Sequence, residues 1–103
     1  MSSYQFTPQA LSDLVDIWKY IAQDNPAAAD KVAEAILSAC DFLSDSPFAG
    51  RIRKELTGLR VRFWVVQPYS NYLIVYNPEK KPLQVISVLH SARDLPSLLP
   101  LRG

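Results

Sequence analysis

The chain has one cysteine and one histidine among its 103 residues. Cys40 has no second cysteine with which to form an internal disulfide. His90 alone leaves no cluster of cysteine and histidine that could hold a structural zinc. No run approaches the ~20 apolar residues that a membrane-spanning helix requires, and residues 1–5 lack the basic start and apolar run of a secretory signal. We therefore expect a cytoplasmic protein without a structural metal.

Neither the length nor the composition indicates a second domain or a disordered region. A chain of 103 residues has the commonest size of one domain, and 49% hydrophobic with 20% charged residues is ordinary for a globular protein. No internal repeat is present. We expect one domain over residues 1–103.

Two helices are indicated in the first half of the chain. Thr7-Pro8 and Asn25-Pro26 each place a capping residue before a proline, the pattern that begins a helix. We predict helices over 8–23 and 26–43 that form a hairpin with a tight connection. Apolar residues at three- and four-residue spacing are expected to form the core: Leu11, Leu14, Val15, Trp18, Ile21 and Ala22, then Ala29, Val32, Ala33, Ile36, Leu37, Cys40 and Leu43.

Strands are predicted at the start of the chain and throughout its second half. A short strand is expected within 1–6, and β-rich segments cover 59–66, 72–76 and 83–89. Short segments with turn-forming residues separate the last three, which favours antiparallel hairpins. After Asp94 two prolines interrupt an apolar segment, so we expect an extended tail over 95–103 rather than a long closing helix.

The order of these elements predicts a two-layer α+β fold, β-α-α-β-β-β, in which a helical hairpin covers one face of a three-stranded antiparallel sheet. Val61, Phe63 and Val65 share one face of the first long strand because side chains alternate along a strand. We expect the hairpin to cover that face. Trp64 points the other way and is expected to be exposed, whereas Trp18 belongs to the helical core stripe.

The charges are unevenly distributed along the chain. Residues 1–45 contain seven acidic residues and two lysines, a net charge of −5, whereas residues 46–103 contain nine basic and three acidic residues, a net charge of +6. A clustered positive surface attracts anions, so the second half favours an acidic ligand, either nucleic acid or an acidic polypeptide. The alternative is that the two halves neutralise each other across their interface.

Several motifs together resemble the bacterial RelE/ParE toxin superfamily, and in particular its ParE-like members. The opening residues 6–10, 13–14 and 17–21 are similar to the start of ParE-type toxins. Further motifs follow in the order that the superfamily shows, and they extend the resemblance over nearly the whole chain: Pro47-Phe48-Ala49-Gly50-Arg51, Gly58-Leu59-Arg60, Tyr72-Leu73-Ile74-Val75-Tyr76 and His90-Ser91-Ala92-Arg93-Asp94.

The resemblance implies the toxin of a type II toxin-antitoxin pair. Such a toxin is neutralised by a small antitoxin that wraps around it, and neither partner carries a cofactor or a metal. The ParE-like branch implies poisoning of DNA gyrase by protein contact. The RelE branch implies a ribosome-dependent mRNA endonuclease, which is the alternative. A third possibility is a degenerate toxin that binds its antitoxin and harms nothing.

The candidate catalytic residues for the nuclease alternative are Lys54, Arg60, His90 and Arg93. Cleavage of RNA through its 2′-hydroxyl requires a base, cations to stabilise the phosphorane and an acid for the 5′-oxygen. RelE-like nucleases often carry a tyrosine or histidine near the C-terminus, and nothing after Asp94 is aromatic or a histidine. The incomplete set favours a gyrase inhibitor without bond-breaking chemistry, and His90 is then expected to fix the turn at the end of the last strand.

Basic residues in the second half are the candidate partner-binding residues. The densest group is Arg51, Arg53, Lys54, Arg60 and Arg62. Arg93 could hold a phosphate or a carboxylate with its planar guanidinium, or could pair with Asp94. We predict a partner-binding surface formed by Arg51, Arg53, Arg60, Arg62 and Arg93.

Overall fold

A computed structural model describes residues 4–53 and 60–98 of the chain, with side chains up to Asp94. The elements confirm the predicted α+β order and add a short helix after the last strand. Their bounds are β1 Tyr4–Phe6, α1 Pro8–Ala22, α2 Pro26–Asp45, β2 Arg62–Val65, β3 Tyr72–Asn77, β4 Leu83–His90 and α3 Ser91–Leu98. No helix within the described ranges is long and apolar enough to cross a membrane.

Both helices of the hairpin begin where the sequence predicts them. Thr7 Oγ1 accepts a hydrogen bond from the backbone N–H of Ala10 at 3.1 Å, and Asn25 Oδ1 accepts one from Ala28 at 3.0 Å. Each cap satisfies an N–H that the first helical turn leaves without a partner, and the following proline has no N–H to satisfy. Local chemistry alone therefore sets both starting points.

The sheet has four strands rather than three, in the order β1-β4-β3-β2. β2 and β3 pair antiparallel, as do β3 and β4, which confirms the two predicted hairpins. β1 pairs parallel to β4, with Tyr4 opposite Leu83. The last strand therefore lies inside the sheet, between the first strand and β3.

The hairpin packs on the sheet face that carries Trp64, Ile74 and Tyr76. The prediction that it covers Val61, Phe63 and Val65 is wrong. Val61 and Phe63 belong to a second apolar cluster with Leu73, Val75 and Leu89, and Val65 is exposed. β3 is buried on both faces, so alternation along β2 alone could not identify the face that meets the helices.

The first helix is rotated relative to the predicted core stripe. Its buried residues are Ala10 and Ile17, and Leu14 and Ile21 pack partly against the core. Leu11, Val15 and Trp18 are exposed, so their assignment to the core is wrong. The apolar arc of α1 is wider than the face that its neighbours cover.

Trp64 is half-buried rather than exposed, because its ring packs against Phe42 at 5.1 Å between centroids. The extended tail predicted from residue 95 is also wrong over its first part, because α3 continues to Leu98. Residues 99–103 lie outside the described part of the chain.

Candidate functional site

The predicted basic residues gather around β2, the strand at one edge of the sheet. Arg51 and Phe63 exchange both backbone hydrogen bonds, at 2.8 Å each, which fixes Arg51 on the outer side of β2. Arg60 is exposed just before β2, and Arg62 is the first residue of the strand. We call this surface, with Arg51, Arg53, Arg60 and Arg62, the basic edge.

Tyr76 anchors the turn that leads to the basic edge. Its hydroxyl donates to the carbonyl of Pro47 at 2.7 Å and accepts from the N–H of Gly50 at 2.8 Å. The approach is so close that a Cβ at Gly50 would lie 2.5 Å from Tyr76 Oη. Burial raises the pKa of Tyr76, and the opposing effects of the Gly50 hydrogen bond and the Arg62 charge are smaller.

Arg62 serves the fold of the same turn. Its guanidinium donates to the carbonyl of Gly50 at 2.8 Å and lies 5.1 Å from the centre of the Phe48 ring. Arg62 is half-buried, whereas Arg51 and Arg60 are exposed. Within the basic edge, the last two are therefore the residues whose charge is most available to a partner.

Large apolar side chains are also exposed on β2 and on the segment that precedes it, and one of them, Phe48, contacts Arg62. Phe48, Ile52 and Val65 are all exposed. A surface that combines guanidinium groups with large apolar side chains suits a polypeptide that has both carboxylates and apolar residues.

The segment from His90 to Asp94 forms the cap of α3. His90 Nδ1 accepts the backbone N–H of Arg93 at 3.1 Å, and Asp94 Oδ2 accepts the backbone N–H of His90 at 2.7 Å. This reciprocal arrangement resembles a capping box, with the acid one position later than usual. It agrees with the expected role of His90 in fixing the turn.

Arg93 pairs with its neighbour at the same helix start. Its Nε lies 3.1 Å from Asp94 Oδ1, and this hydrogen bond raises the pKa of the Arg93 guanidinium. Partial burial by itself raises the pKa of Asp94. The hydrogen bonds from Arg93 and from the His90 backbone, with the Arg93 charge, outweigh that effect, so the pKa of Asp94 is lowered.

Tyr72, which is not among the predicted site residues, lies against this cap. The rings of Tyr72 and His90 meet edge to face at 5.3 Å between centroids. Burial raises the pKa of Tyr72, and the charge of Arg93 opposes this while Tyr20 adds to it. Tyr72 was missed because it belongs to an apolar strand, and only its pairing opposite His90 brings it here.

A groove of about 530 Å³ runs between α1 and the end of β4. Asp13 spans it: its Oδ2 accepts from Ser87 Oγ at 2.6 Å and from the N–H of Val88 at 3.0 Å. Asp16 and Arg93 also line the groove. Asp13 had only a polar position on a helix to mark it, so no local pattern predicted this contact.

The strand register separates the candidate catalytic residues of the nuclease alternative. Arg62 pairs with Tyr76 near one end of the sheet, and His90 pairs with Tyr72 near the other. Four residues of strand span about 13 Å, and Arg60 lies two residues further out. His90 and Arg93 are thus together, Arg60 is apart from them, and Lys54 lies outside the described residues. Among the described residues, no group of three or more histidine, cysteine or acidic side chains could hold a metal ion.

The chain was compared with family models, curated proteins and solved structures. Residues 4–95 match the family model described as the ParE toxin of the type II toxin-antitoxin system parDE. The chain is 33% identical to Toxin RelE2 of Caulobacter vibrioides over 93 residues. The aligned residues cover 90% of this chain and 99% of that relative. A solved structure, the chromosomal ParDE TA system from P. aeruginosa, has the same fold with a TM-score of 0.70 at 22% identity, over 87% of this chain and 96% of that chain.

Proposed function

The chain belongs to the ParE toxin family of type II toxin-antitoxin systems, and from that premise we propose that it inhibits DNA gyrase by protein contact and is neutralised by a cognate antitoxin. The observation that carries the proposal is the family match over residues 4–95. We propose further that it acts as a single domain over 1–103, in the cytoplasm, without a cofactor.

The antitoxin is proposed to bind at the basic edge through an acidic and partly apolar segment. Support comes from the structural relative, which is a ParDE toxin-antitoxin system. It also comes from two exposed arginines, Arg51 and Arg60, and two exposed apolar residues, Phe48 and Ile52. Arg93, at the other end of the sheet, is proposed as a separate contact.

Action by contact, rather than by cleavage of RNA, is supported by the placement of the basic residues. Arg60 lies at the opposite end of the sheet from His90 and Arg93, so these groups do not surround one phosphodiester. His90 Nδ1 is also occupied as the cap of α3.

Two assays on the purified chain test this function. With gyrase and plasmid DNA, the chain is expected to inhibit supercoiling and to accumulate linear DNA. With programmed ribosomes, mRNA should remain intact. Unaffected gyrase together with cleaved mRNA would overturn the proposal in favour of the nuclease.

The nuclease alternative has specific support. The chain resembles a protein named Toxin RelE2, and Tyr72, His90 and Arg93 place a phenol, an imidazole and a guanidinium near one another. If the chain cleaves mRNA, Tyr72→Phe and Arg93→Gln should each slow cleavage strongly. A degenerate toxin would instead allow normal growth when expressed without its antitoxin.

A further inference from the structure

The start of α3 depends on one ring nitrogen. His90 directly precedes the helix, and its Nδ1 accepts the backbone N–H of Arg93 at 3.1 Å. A capping side chain satisfies in this way an N–H that the first helical turn leaves without a partner. A nitrogen that accepts a hydrogen bond carries no proton. His90 therefore holds the cap only as a neutral imidazole with its proton on Nε2.

Protonation of His90 is incompatible with this geometry. An imidazolium carries a proton on both nitrogens and accepts no hydrogen bond. At 3.1 Å the Nδ1–H and the N–H of Arg93 would point at each other, so the ring has to turn away and the Arg93 amide loses its acceptor. The new positive charge also lies at a helix N-terminus, where the helix dipole disfavours a cation.

The titratable and charged side chains that face His90, or the pair of Arg93 and Asp94 beside it, come from α1, β3 and α3: Asp13, Asp16 and Tyr20, then Tyr72, then Arg93 and Asp94. Aspartate ordinarily titrates near about 4 and tyrosine near about 10, so histidine is the side-chain type here that changes charge between about pH 5 and 8. The pKa of Asp94 is lowered and the pKa of Tyr72 is raised, and both shifts lead away from this range.

Asp94 attracts an imidazolium but cannot restore the cap. Its Oδ2 already accepts the backbone N–H of His90 at 2.7 Å, and its Oδ1 accepts Arg93 Nε at 3.1 Å. An imidazolium that turned toward this carboxylate would compete with the guanidinium. The backbone N–H of Arg93 would still lack its acceptor, so the first turn of α3 is weakened in either position of the ring.

We propose that His90 is a pH-sensitive switch, which holds α3 against β4 when it is neutral and releases the first turn of α3 when it is protonated. The N–H of Ser91 donates to the carbonyl of Asn71 at 2.7 Å, a bond that does not involve the imidazole, so the release begins after Ser91. Arg93 and Asp94 line the groove beside α1, so the groove changes shape with the switch. The inference concerns the chain alone and does not depend on gyrase inhibition.

The test follows α3 by NMR in the full chain as the pH is lowered from about 8 to about 5. The Cα shifts of residues 92–97 report helical content, and the ring shifts of His90 report protonation. We expect both to change together with one midpoint. Hydrogen exchange of the α3 amides, corrected for the intrinsic effect of pH, should become about fivefold faster or more, as loss of a cap implies. The amides of Ile74 and Val85, which are fully buried, should keep their protection because the release is local.

Three variants separate the imidazole from its neighbours. His90→Asn keeps a capping oxygen that does not titrate, so α3 should stay helical over the whole range. His90→Lys keeps a positive charge and offers no acceptor, so α3 should be weakened even at about pH 8. Asp94→Asn is the matched control, because it removes the neighbouring carboxylate and leaves the imidazole. A step that follows the His90 ring shifts should remain in that variant.

Cα shifts of α3 that stay constant while the His90 ring titrates would overturn the proposal. So would an undiminished step in His90→Asn, because another group would then be responsible. A step shared by Ile74 and Val85 would show global unfolding and would also contradict a local switch. The nitrogen shifts of the imidazole at about pH 8 give an independent check: a proton on Nδ1 would rule out its role as acceptor.

Discussion

At the scale of single residues, the hydroxyl of Tyr76 holds the turn at Pro47 and Gly50 against the sheet. Tyr76→Phe leaves a buried N–H and a carbonyl without this partner, and we expect it to lower the free energy of unfolding by about 1–3 kcal/mol. Urea denaturation measures the change. The matched control is Tyr20→Phe at an exposed position, which should change stability by less than about 0.5 kcal/mol. Equal effects would contradict the anchoring role.

Cys40 is fully buried within α2. Burial, with the nearby Asp41 charge, raises the pKa of its thiol to about 12, so the reactive thiolate is scarce at neutral pH. We expect a thiol reagent to modify the folded chain only as fast as the chain opens. Ser38→Cys in a Cys40→Ala background places a thiol at an exposed position of the same helix and should react promptly. Rapid reaction of Cys40 in the native chain would show that α2 does not protect it.

Some of these residue roles follow from the sequence and others do not. Thr7 and Asn25 were predicted as caps because their partners are three residues away. Tyr76 and Gly50 are 26 residues apart, and no local sequence pattern predicts their contact. His90 was expected to fix a turn. Its reciprocal hydrogen bonds with the start of α3 were not expected, because two prolines after Asp94 had favoured an extended tail over a helix.

At the scale of elements, Asp13 joins α1 to β4. Because it accepts from Ser87 Oγ and from the backbone of Val88, Asp13→Ala leaves a strand N–H without its partner. We expect a loss of about 1–3 kcal/mol in the free energy of unfolding. Asp16→Ala, an exposed position on the same helix, is the control and should be nearly neutral. Thermal and urea unfolding of both variants check this, and similar losses would remove the special role of Asp13.

The start of α3 is expected to depend on pH through Asp94. Its pKa is lowered in the folded chain, so its carboxylate contributes fully above the ordinary aspartate pKa of about 4. That contribution is lost as the pH falls through the lowered value. The His90 amide, which donates to Asp94, should report this in NMR with a midpoint below about 4. Asp94→Asn should remove that step, and a midpoint above the ordinary range would contradict the bond.

Helices and hairpins were predictable because their signals are local, whereas the placement of elements was not. The rotation of α1 depends on Thr7 and Asp13 bonding to β4. The parallel pairing of β1 with β4 joins residues 79 apart. No periodicity in either segment encodes such a partner, and alternation along β2 could not show which sheet face meets the hairpin.

At the scale of the whole molecule, the two charged halves form surfaces of opposite sign. Arg51→Gln with Arg60→Gln should weaken capture of the antitoxin by about tenfold and reduce its salt dependence. Lys19→Gln with Lys31→Gln removes the same charge from the hairpin and should have little effect. Calorimetry at low and high salt, with circular dichroism for folding, measures both. If both double variants weaken antitoxin binding equally, the effect comes from net charge and not from a contact at the basic edge.

The position of β4 inside the sheet determines when, during synthesis, the sheet can form. During translation, Tyr4 leaves the ribosome long before Leu83, its neighbour in the sheet. β4 lies between β1 and β3, so the nascent hairpin has no complete sheet to pack against until β4 has left the ribosome. A partner that recognises the assembled sheet therefore has no binding surface before β4 has been synthesised.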